Sequence, residues 1–566
     1  MSREWLEKLQ SLRQRFNWEI DEDRFEFYDE FLPLIKDWRG DLPNLRDLFD
    51  KEGIDWLLCE SICRVRCYDL ELVDDDLADA DWLIGFVITT GYADQPDVDE
   101  QGRPILSCAT AIHEISRSRM SSNLYAKWRV FVLNLFKIYS RLEANYADEG
   151  GLTHFHVACQ FGYGRLAERF VLEQGLSPDL VWPETGETPL HLALTHGCKI
   201  VARKLLSLGA DPNLADNRGW TTLHAICENL AAHDLALVLL ELNDPVDEDE
   251  EEQQQVVQID VPDNLGRTQL HLALKNAKIQ MGELLLIHGA DVNRADSAGS
   301  TPLHYLVEGC TMEWLVGNDQ LMRRWLEICD ARDRTVQIDA RDAEGRTPLQ
   351  WAVARVEPMT VDALLTGGAD LANFSFPTED HFGCERNDPA YLEFMRNNKM
   401  SLACGALRIV ERLQRAEYEV QRNEALTIMK LFEHCGLLDR SPILDVANWY
   451  EDRVFPDVAR QMMIRPNLSL DQLVRLPTER AKRLLVYEDY SRLERLDGYQ
   501  LLRRPRREAC DSFLSEIMLR RFFREWAVLA LMELTDYEMS SDCCLQVMEL
   551  MTNKDLYNTC LGAWQA

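Results

Sequence analysis

The sequence predicts an all-α solenoid, in which pairs of short helices repeat along the chain and stack side by side. A four-residue box recurs in it, beginning at Thr153, Thr188, Thr221, Thr268, Thr301 and Thr347. Successive boxes are separated by steps of 35, 33, 47, 33 and 46 residues, so two of the steps carry insertions. Apolar residues at helical spacing follow each box, and then a glycine and a polar turn. One such helix pair cannot bury its own apolar faces, so the copies have to stack.

The stretch 188–220 shows the repeated unit in full. Its box reads Thr-Pro-Leu-His and predicts the start of a short helix, because proline is tolerated in a first turn where its missing N–H is not needed. A second helix is predicted by apolar residues at helical spacing, Val201, Leu205, Leu206 and Leu208. Gly209 is placed to end that helix. Residues 211–219 are polar and turn-forming, which predicts a short hairpin-like turn.

The box and its period resemble the ankyrin repeat, whose pattern is T-P-L-H-x-A at about 33 residues. The resemblance implies a protein that binds another protein on the concave face made by the turn tips and the first helix of each repeat. Because the tips differ between repeats, they are expected to carry specificity while the recurring frame carries stability. The expected protein-binding residues are Asp216, Asn217, Arg218, Asp263, Asn264, Leu265, Asp296, Ser297, Ala298, Asp342, Ala343 and Glu344.

The pattern divides the chain into five segments. Residues 1–50 predict an N-terminal helical cap, since terminal units must present a polar outer face. Residues 51–150 repeat the pattern in a degenerate form, and 151–375 hold the regular repeats. A proline-punctuated helical linker domain is predicted for 376–510, and a C-terminal helical segment for 511–566.

Two details support the degenerate repeats, and two insertions interrupt the regular ones. A shortened turn at 97–102 precedes a box at 110–113, which reads Thr-Ala-Ile-His.

The first insertion, at about 243–258, contains six consecutive acidic residues, which repel one another and predict a solvated loop. Capture of a basic partner segment is the alternative for this loop. The second insertion, 311–337, keeps apolar residues at helical spacing and predicts a packed helix.

The stretch 539–556 resembles the start of an F-box, L-P-x-E-x-x-x-x-I-L-x-x-L-x-x-x-D-L. Ser540 stands where the family has proline, and the sequence stops at Ala566 before a full F-box would finish. Leu545, Met548 and Met551 have the spacing of one helical stripe. Repeats followed by a truncated F-box resemble the PRANC arrangement of poxviral ankyrin proteins. That resemblance implies docking to the small adaptor of cullin-type ubiquitin ligases, through Val547, Met548, Met551, Asp555 and Leu556. An ordinary terminal helical hairpin is the alternative, and the chain would then be a non-catalytic scaffold or inhibitor that masks its partner.

The composition argues against several other function classes. The net charge of −35 argues against general affinity for nucleic acid or anionic membrane, because phosphate binding needs clustered Lys and Arg. It favours a basic protein partner, and solubility alone is the alternative explanation. No uncharged apolar run of eighteen residues occurs. Sixteen cysteines without a disulfide-like framework indicate a reducing compartment, so we expect a cytoplasmic and/or nuclear protein. The basic stretch 503–507 is either a nuclear import signal or a counter-charge for an acidic face.

We expect no enzyme, cofactor or metal site, because the sequence lacks the phosphate-loop, zinc-protease and nucleophile-elbow motifs. The histidines of the boxes predict a repeated structural hydrogen bond instead of a metal site, since stacked copies lie side by side and do not converge. Cys59, Cys63 and Cys67 share one helix face and predict buried thiols, because no second pair of zinc ligands accompanies them. Residues 162–167 imitate a dinucleotide loop but lack the preceding strand, so they predict a turn between two helices.

Overall fold

In the computed structural model the described residues are 2–38, 41–67, 74–117, 125–228, 233–241, 256–309, 321–379, 381–382, 398–445, 449–451 and 455–564. They are mostly helical. The chain divides into two compact units: Met1–Leu272 with Leu284–Ala290, and Ala273–Glu283 with Asp291–Ala566. The acidic run at 247–252 and residues 311–320 of the second insertion lie outside the described residues.

The first unit begins with helices that enclose an aromatic core. Their bounds are Ser2–Arg15, Asp21–Lys36, Lys51–Cys67 and Asp74–Thr89, with a single 3₁₀ turn at Leu45–Asp47. The rings of Phe27 and Phe31 stack at 5.4 Å, and Phe49 packs edge-on against both. All three rings are buried. These rings belong to one cluster of buried residues that continues from Leu9 to Leu192, so the N-terminal helices share their core with the helices that follow.

Short helix pairs follow in the order that the boxes predict. Their bounds are Ala111–Ser116 with Tyr125–Ile138, His154–Gln160 with Gly164–Gln174, Pro189–Thr195 with Lys199–Ser207, Thr222–Glu228 with His233–Leu240, Gln269–Lys275 with Ile279–Ile287, Pro302–Gly309 with Leu321–Ala331, and Pro348–Ala354 with Pro358–Thr366. Gly162, at φ +83°, lies between two of these helices, which confirms the predicted turn. Trp325 of the second insertion is 1% exposed, so the predicted packed helix is confirmed there.

The rest of the second unit is helical apart from one small hairpin. Its helices are Lys399–Arg415, Arg422–His434, Phe455–Gln461, Leu470–Val474, Thr478–Leu484, Tyr487–Glu494, Asp497–Gln500, Arg504–Leu534, Ser541–Met548 and Asn553–Trp564, with a 3₁₀ turn at Pro442–Asp445. Met463–Arg465 and Leu468–Ser469 pair as antiparallel strands. This hairpin was not expected from a helical linker, although Pro466-Asn467 is a turn-forming pair. The predicted segment boundaries at 50, 150, 375 and 510 stay predictions.

The helix Arg504–Leu534, which we call the long helix, has 31 residues. It contains the basic stretch 503–507 almost entirely, with Pro505 in its first turn, where proline is tolerated. Its apolar side chains Leu514, Phe523 and Ala530 are buried. The helices Ser541–Met548 and Asn553–Trp564 pack against it, and the long helix thus supports the C-terminal end of the unit.

Candidate protein-binding surface

Six of the hairpin tips are each built around one aspartate, and Asp216 is an example. Oδ1 of Asp216 accepts hydrogen bonds of 2.8 Å from the backbone N–H groups of Arg218 and Trp220, and Oδ2 accepts one from the Arg218 guanidinium at 2.8 Å. Gly219, at φ +78°, completes the turn in a conformation that side chains disfavour. The carboxylate therefore holds the backbone of its own hairpin.

The same arrangement recurs at five other tips. Aspartate carboxylates accept N–H bonds from residues two and four positions later at Asp99, Asp148, Asp263 and Asp296, and from the residue four positions later at Asp342. In both units, then, the tip aspartates are structural groups. Residue 99 lies in the segment predicted as a degenerate repeat, so that segment folds with the same hairpin bonds as the regular repeats.

This geometry corrects the prediction for four of the twelve tip residues. Asp216, Asp263 and Asp342 are buried and Asp296 is half-buried, because their carboxylates are occupied by backbone N–H groups. They are not accessible for a partner. The other eight predicted residues are exposed: Asn217, Arg218, Asn264, Leu265, Ser297, Ala298, Ala343 and Glu344.

Neighbouring tips are joined by backbone hydrogen bonds. In the first unit the N–H of Asn217 donates to the carbonyl of Thr185 and that of Asn264 to the carbonyl of Arg218, both at 3.0 Å. The side-chain amide of Asn264 also donates to the carbonyl of Asn217 at 2.9 Å. In the second unit the N–H of Ala343 donates to the carbonyl of Ala298 at 2.8 Å. Within each unit the exposed tip side chains are thus held in fixed order on a bonded backbone.

Two tryptophans that the sequence reading did not single out reinforce the tips. The Nε1–H of Trp220 donates to Oδ2 of Asp263 at 3.0 Å, and the Arg218 guanidinium lies 3.9 Å from the centre of the Trp220 ring. In the second unit Trp351 donates to Oδ2 of Asp342, also at 3.0 Å. Trp220 directly follows the tip glycine, and Trp351 directly follows the box. These positions in the repeat are the feature of the sequence that could have identified the two tryptophans.

The box histidines make the predicted structural bond, which confirms that interpretation. Nδ1 of His191 accepts from the backbone N–H of Thr188 at 3.3 Å, and Nε2 lies 3.0 Å from the carbonyl oxygen of Trp220 in the next hairpin. The same pair of contacts is made by His113, His156, His224 and His304. Burial lowers the pKa of His156 and His224 to about 4, so both rings are neutral at pH 7.

Gln350 replaces histidine in the last box and makes equivalent contacts. Its Oε1 accepts from the N–H of Thr347 at 2.8 Å, and its Nε2 donates to the carbonyl of Ser375 at 3.0 Å. Because an amide carries an acceptor and a donor in one side chain, it can replace a neutral imidazole here. The frame therefore needs the two hydrogen bonds and has no need of an ionisable ring.

At the C-terminus the structure corrects the predicted helical stripe. The helix Ser541–Met548 ends at Met548, and the next helix begins at Asn553, so Leu545, Met548 and Met551 do not lie along one helix. The Arg520 side chain donates to the carbonyl oxygens of Met548 and Met551, the latter at 2.6 Å. This guanidinium therefore joins the last residue of the helix to Met551, whose own N–H donates to the Met548 carbonyl at 3.1 Å.

The predicted adaptor-docking residues are divided by this turn. Met548 and Leu556 are fully buried, and Asp555 accepts bonds from the N–H and the hydroxyl of Thr552, at 2.8 and 2.7 Å, at the start of the last helix. Met551 is half-buried, whereas Val547 is exposed. Leu550, which was not in the predicted set, is 91% exposed. Only part of the predicted set is therefore accessible in this structure.

Other features that suggest chemistry are ordinary packing. Cys59 and Cys63, which were predicted as buried thiols, are half-buried, and the side chain of Cys67 lies outside the described part of the structure. Burial raises the pKa of the Cys59 thiol well above its usual value. Within the described ranges, no three His, Cys, Asp or Glu side chains are placed to hold a metal ion. Nor does any helix in those ranges combine the length and the apolar character that crossing a membrane requires.

Comparisons with known proteins match the central part of the chain. The family model for ankyrin repeats (3 copies) matches residues 130–216, 155–250 and 201–296. The human B-cell lymphoma 3 protein is 33% identical over 168 residues, which are 29% of this chain and 35% of that protein. Palmitoyltransferase AKR1 of Kluyveromyces lactis is 32% identical over 158 residues, which are 28% of this chain and 20% of that protein. The chain thus spans about a third or less of the length of these two relatives.

One solved structure also aligns with part of the chain. The crystal structure of the ankyrin repeat domain of Bcl-3, a member of the IkappaB protein family, aligns with 39% of this chain and 89% of its own, at 25% identity and a TM-score of 0.30. The repeated box bonds, the tip aspartates and the family model describe the same units. Residues 130–296 are therefore ankyrin repeats, a protein–protein interaction module, in a chain with the all-α architecture of an ankyrin-repeat solenoid.

Proposed function

We propose that the chain is a non-catalytic protein of the cytoplasm or nucleus that binds a target protein through its hairpin tips. The bonded row of tips carries this proposal, because it holds Asn217, Arg218, Asn264 and Leu265 outward in fixed order. Side chains that are ordered before binding lose little conformational entropy when a partner arrives. Leu265, at 58% exposed, adds an apolar anchor among polar neighbours.

The partner that fits this surface is a basic protein segment. The chain as a whole is strongly acidic, and Glu149 and Glu184 are exposed on the tips that precede Asn217 in the first unit. A basic partner would be attracted over a distance of about 10 Å at moderate ionic strength. Its association should therefore slow as salt is added, while dissociation changes less.

The test is partner capture with a matched pair of variants. Wild type, Arg218→Ala with Leu265→Ala, and Arg165→Ala with Leu172→Ala are used to capture proteins from a lysate, and the captured proteins are quantified by mass spectrometry. Arg165 and Leu172 are equally exposed but lie on Gly164–Gln174, the second helix of a repeat. We expect a specific partner to be lost by the tip variant alone. Equal retention by all three folded proteins would contradict the proposal.

A second role is proposed for the C-terminus, where Val547 and Leu550 are exposed apolar neighbours at the turn after Ser541–Met548. These side chains would dock the adaptor of a cullin-type ubiquitin ligase, with the repeats presenting the target. Capture of the purified adaptor by the full chain, and its loss in Val547→Asp with Leu550→Asp, would support this role. Failure of wild type to retain the adaptor would favour the alternative, a scaffold or inhibitor that masks its target without recruiting a ligase.

A further inference from the structure

The second unit contains a basic groove that is unusual in so acidic a chain. It has a volume of about 870 Å³ and is walled by the helix Lys399–Arg415, the helices Thr478–Leu484 and Tyr487–Glu494 with their connection, and the long helix. Seven lysine and arginine side chains line it, against three glutamates. The whole chain carries 61 basic and 96 acidic residues. Basic residues therefore outnumber acidic ones in the groove, whereas acidic residues outnumber basic ones in the whole chain.

The cations stand in two facing rows. Arg408, Arg412 and Arg415 lie on one face of the helix Lys399–Arg415, while Arg521 and Arg524 lie on the long helix. Spacings of three, four and seven residues place side chains on one side of a helix. The groove thus presents positive charge from two walls, as recognition of an extended anionic partner requires.

Part of this charge is compensated within the unit and part is not. Arg408 lies 3.3 Å from Glu488, Arg524 lies 3.0 Å from Glu549, Arg415 lies 3.7 Å from Glu411, and Arg412 pairs with Asp362. Arg483 and Arg521 are exposed, and they form no hydrogen bond or ion pair with any residue that the structure describes. Burial, with a smaller contribution from the neighbouring Arg415, lowers the pKa of Arg412.

The floor of the groove is apolar. Ile517, Met518 and Val528 of the long helix line it, together with Leu545 of the helix Ser541–Met548. Ile517 and Met518 are buried, and Val528 and Leu545 are half-buried. The groove's volume lies within the range of about 300–1,000 Å³ that is typical of ligand-binding clefts, but ten of its eighteen lining residues are charged, which is more than such clefts usually have. A ligand that fits has to offer apolar groups as well as negative charge.

We propose that this groove binds an acidic, amphipathic segment of a partner protein, whose carboxylates meet Arg483 and Arg521 and whose apolar side chains lie on the half-buried Val528 and Leu545. Paired carboxylate and guanidinium groups give bidentate contacts that fix the register of such a segment. A long polyphosphate chain fits less well, because it would bring no apolar group to the floor and would approach a chain with a net charge of −35. The proposal is independent of the hairpin tips and of the exposed pair Val547 and Leu550.

The experiment uses the full chain and a random peptide display library as the probe. The variant Arg483→Glu with Arg521→Glu reverses the two exposed cations of the groove. The matched control, Arg480→Glu with Arg503→Glu, makes the same charge change at two exposed arginines that do not line it. Circular dichroism and thermal melting confirm that all three proteins are folded.

We expect wild type and the control to enrich peptides in which Asp or Glu alternates with Leu, Ile or Phe, and the groove variant to lose them. A peptide synthesised from the enriched pattern should bind the groove variant at least about tenfold more weakly than wild type, and more weakly still as salt rises. Enrichment of neutral or basic peptides, or the same enrichment by the groove variant, would overturn the proposal. So would a labelled oligonucleotide that binds wild type and is lost by the groove variant alone, since the ligand would then be a nucleic acid.

Discussion

The indole of Trp220 donates a hydrogen bond of 3.0 Å to Oδ2 of Asp263, 43 residues further along the chain. Asp263 holds the next hairpin through its other oxygen, which accepts from Leu265 and Arg267. One tryptophan therefore links the tip of its own repeat to the carboxylate that shapes the following one. The exposed residues of two tips depend on this link for their relative position.

Replacing Trp220 with phenylalanine should weaken the first unit. The variant keeps an aromatic ring but removes the donor to a buried carboxylate, which costs about 2 kcal/mol for a hydrogen bond to a charged group. Chemical denaturation followed by circular dichroism measures the change in the free energy of unfolding. Trp182→Phe is the control, because the Trp182 indole N–H is buried without a hydrogen-bond partner among the described residues, and its loss should cost little. Equal effects of the two substitutions would show that ring packing, and not the bond to Asp263, sets the stability.

The box histidines should make the repeats sensitive to acid. Burial holds the pKa of His156 and of His224 at about 4 in the folded chain, against about 6.5 in an unfolded one. The unfolded chain therefore binds more protons between these values, and stability that is fully present above pH 6.5 is lost as the pH falls towards 4. The loss is on the order of 3 kcal/mol for each histidine.

His156→Gln with His224→Gln tests this linkage, because Gln350 already fills the same position in the last box. We expect the stability of the double variant, measured by denaturation between pH 4 and 8, to depend less on pH than that of wild type. At pH 8 the two proteins should be of similar stability. A pH dependence identical to that of wild type would mean that other groups control the acid sensitivity.

Glu494 should make the second unit less stable as the pH rises, whereas the box histidines make the repeats less stable as the pH falls. Its carboxylate accepts from the N–H groups of Met400 and Ser401 at 3.0 and 2.8 Å, at the start of the helix Lys399–Arg415. Burial, with a smaller contribution from Asp511, raises its pKa from 4.5 to about 7. The folded chain therefore binds more protons than the unfolded one in this window, and stability that is full below pH 4.5 declines as the pH rises through 7.

Hydrogen exchange of the amides in Lys399–Arg415 reports this effect locally. Protection in wild type should fall between pH 5 and 8, after correction for the intrinsic exchange rate. Glu494→Gln keeps an acceptor for the helix N-terminus and removes the charge, so its protection should stay level across the same range. A parallel decline in the variant would contradict the role assigned to Glu494.

The repeats could be predicted from the sequence because their information is local. A box, a glycine and a turn lie within about 33 residues. The same box hydrogen bond recurs in each repeat, from that of Thr110 with His113 to that of Thr347 with Gln350. The role of the tip aspartates could also be predicted: an aspartate recurs at the same hairpin position, including Asp99 and Asp148, and a residue shared by most tips is poorly suited to carry specificity. The basic groove had no such local signal, since Arg408 and Arg521 meet only through tertiary packing.

The C-terminal turn could not be predicted from the sequence for a different reason. Leu545, Met548 and Met551 keep helical spacing across the place where the helix ends, and Arg520, which bonds to the carbonyl groups there, comes from the long helix.

Met548→Ala and Leu550→Ala distinguish an ordinary terminal helical hairpin from an F-box-like docking segment. Met548 is fully buried, so its truncation should cost about 2–4 kcal/mol, whereas Leu550 is exposed and its truncation should change the free energy of unfolding by less than about 0.5 kcal/mol. Thermal unfolding of the full chain measures both, and a small effect of Met548→Ala would indicate that the C-terminal hairpin opens readily and frees Met548 for an adaptor.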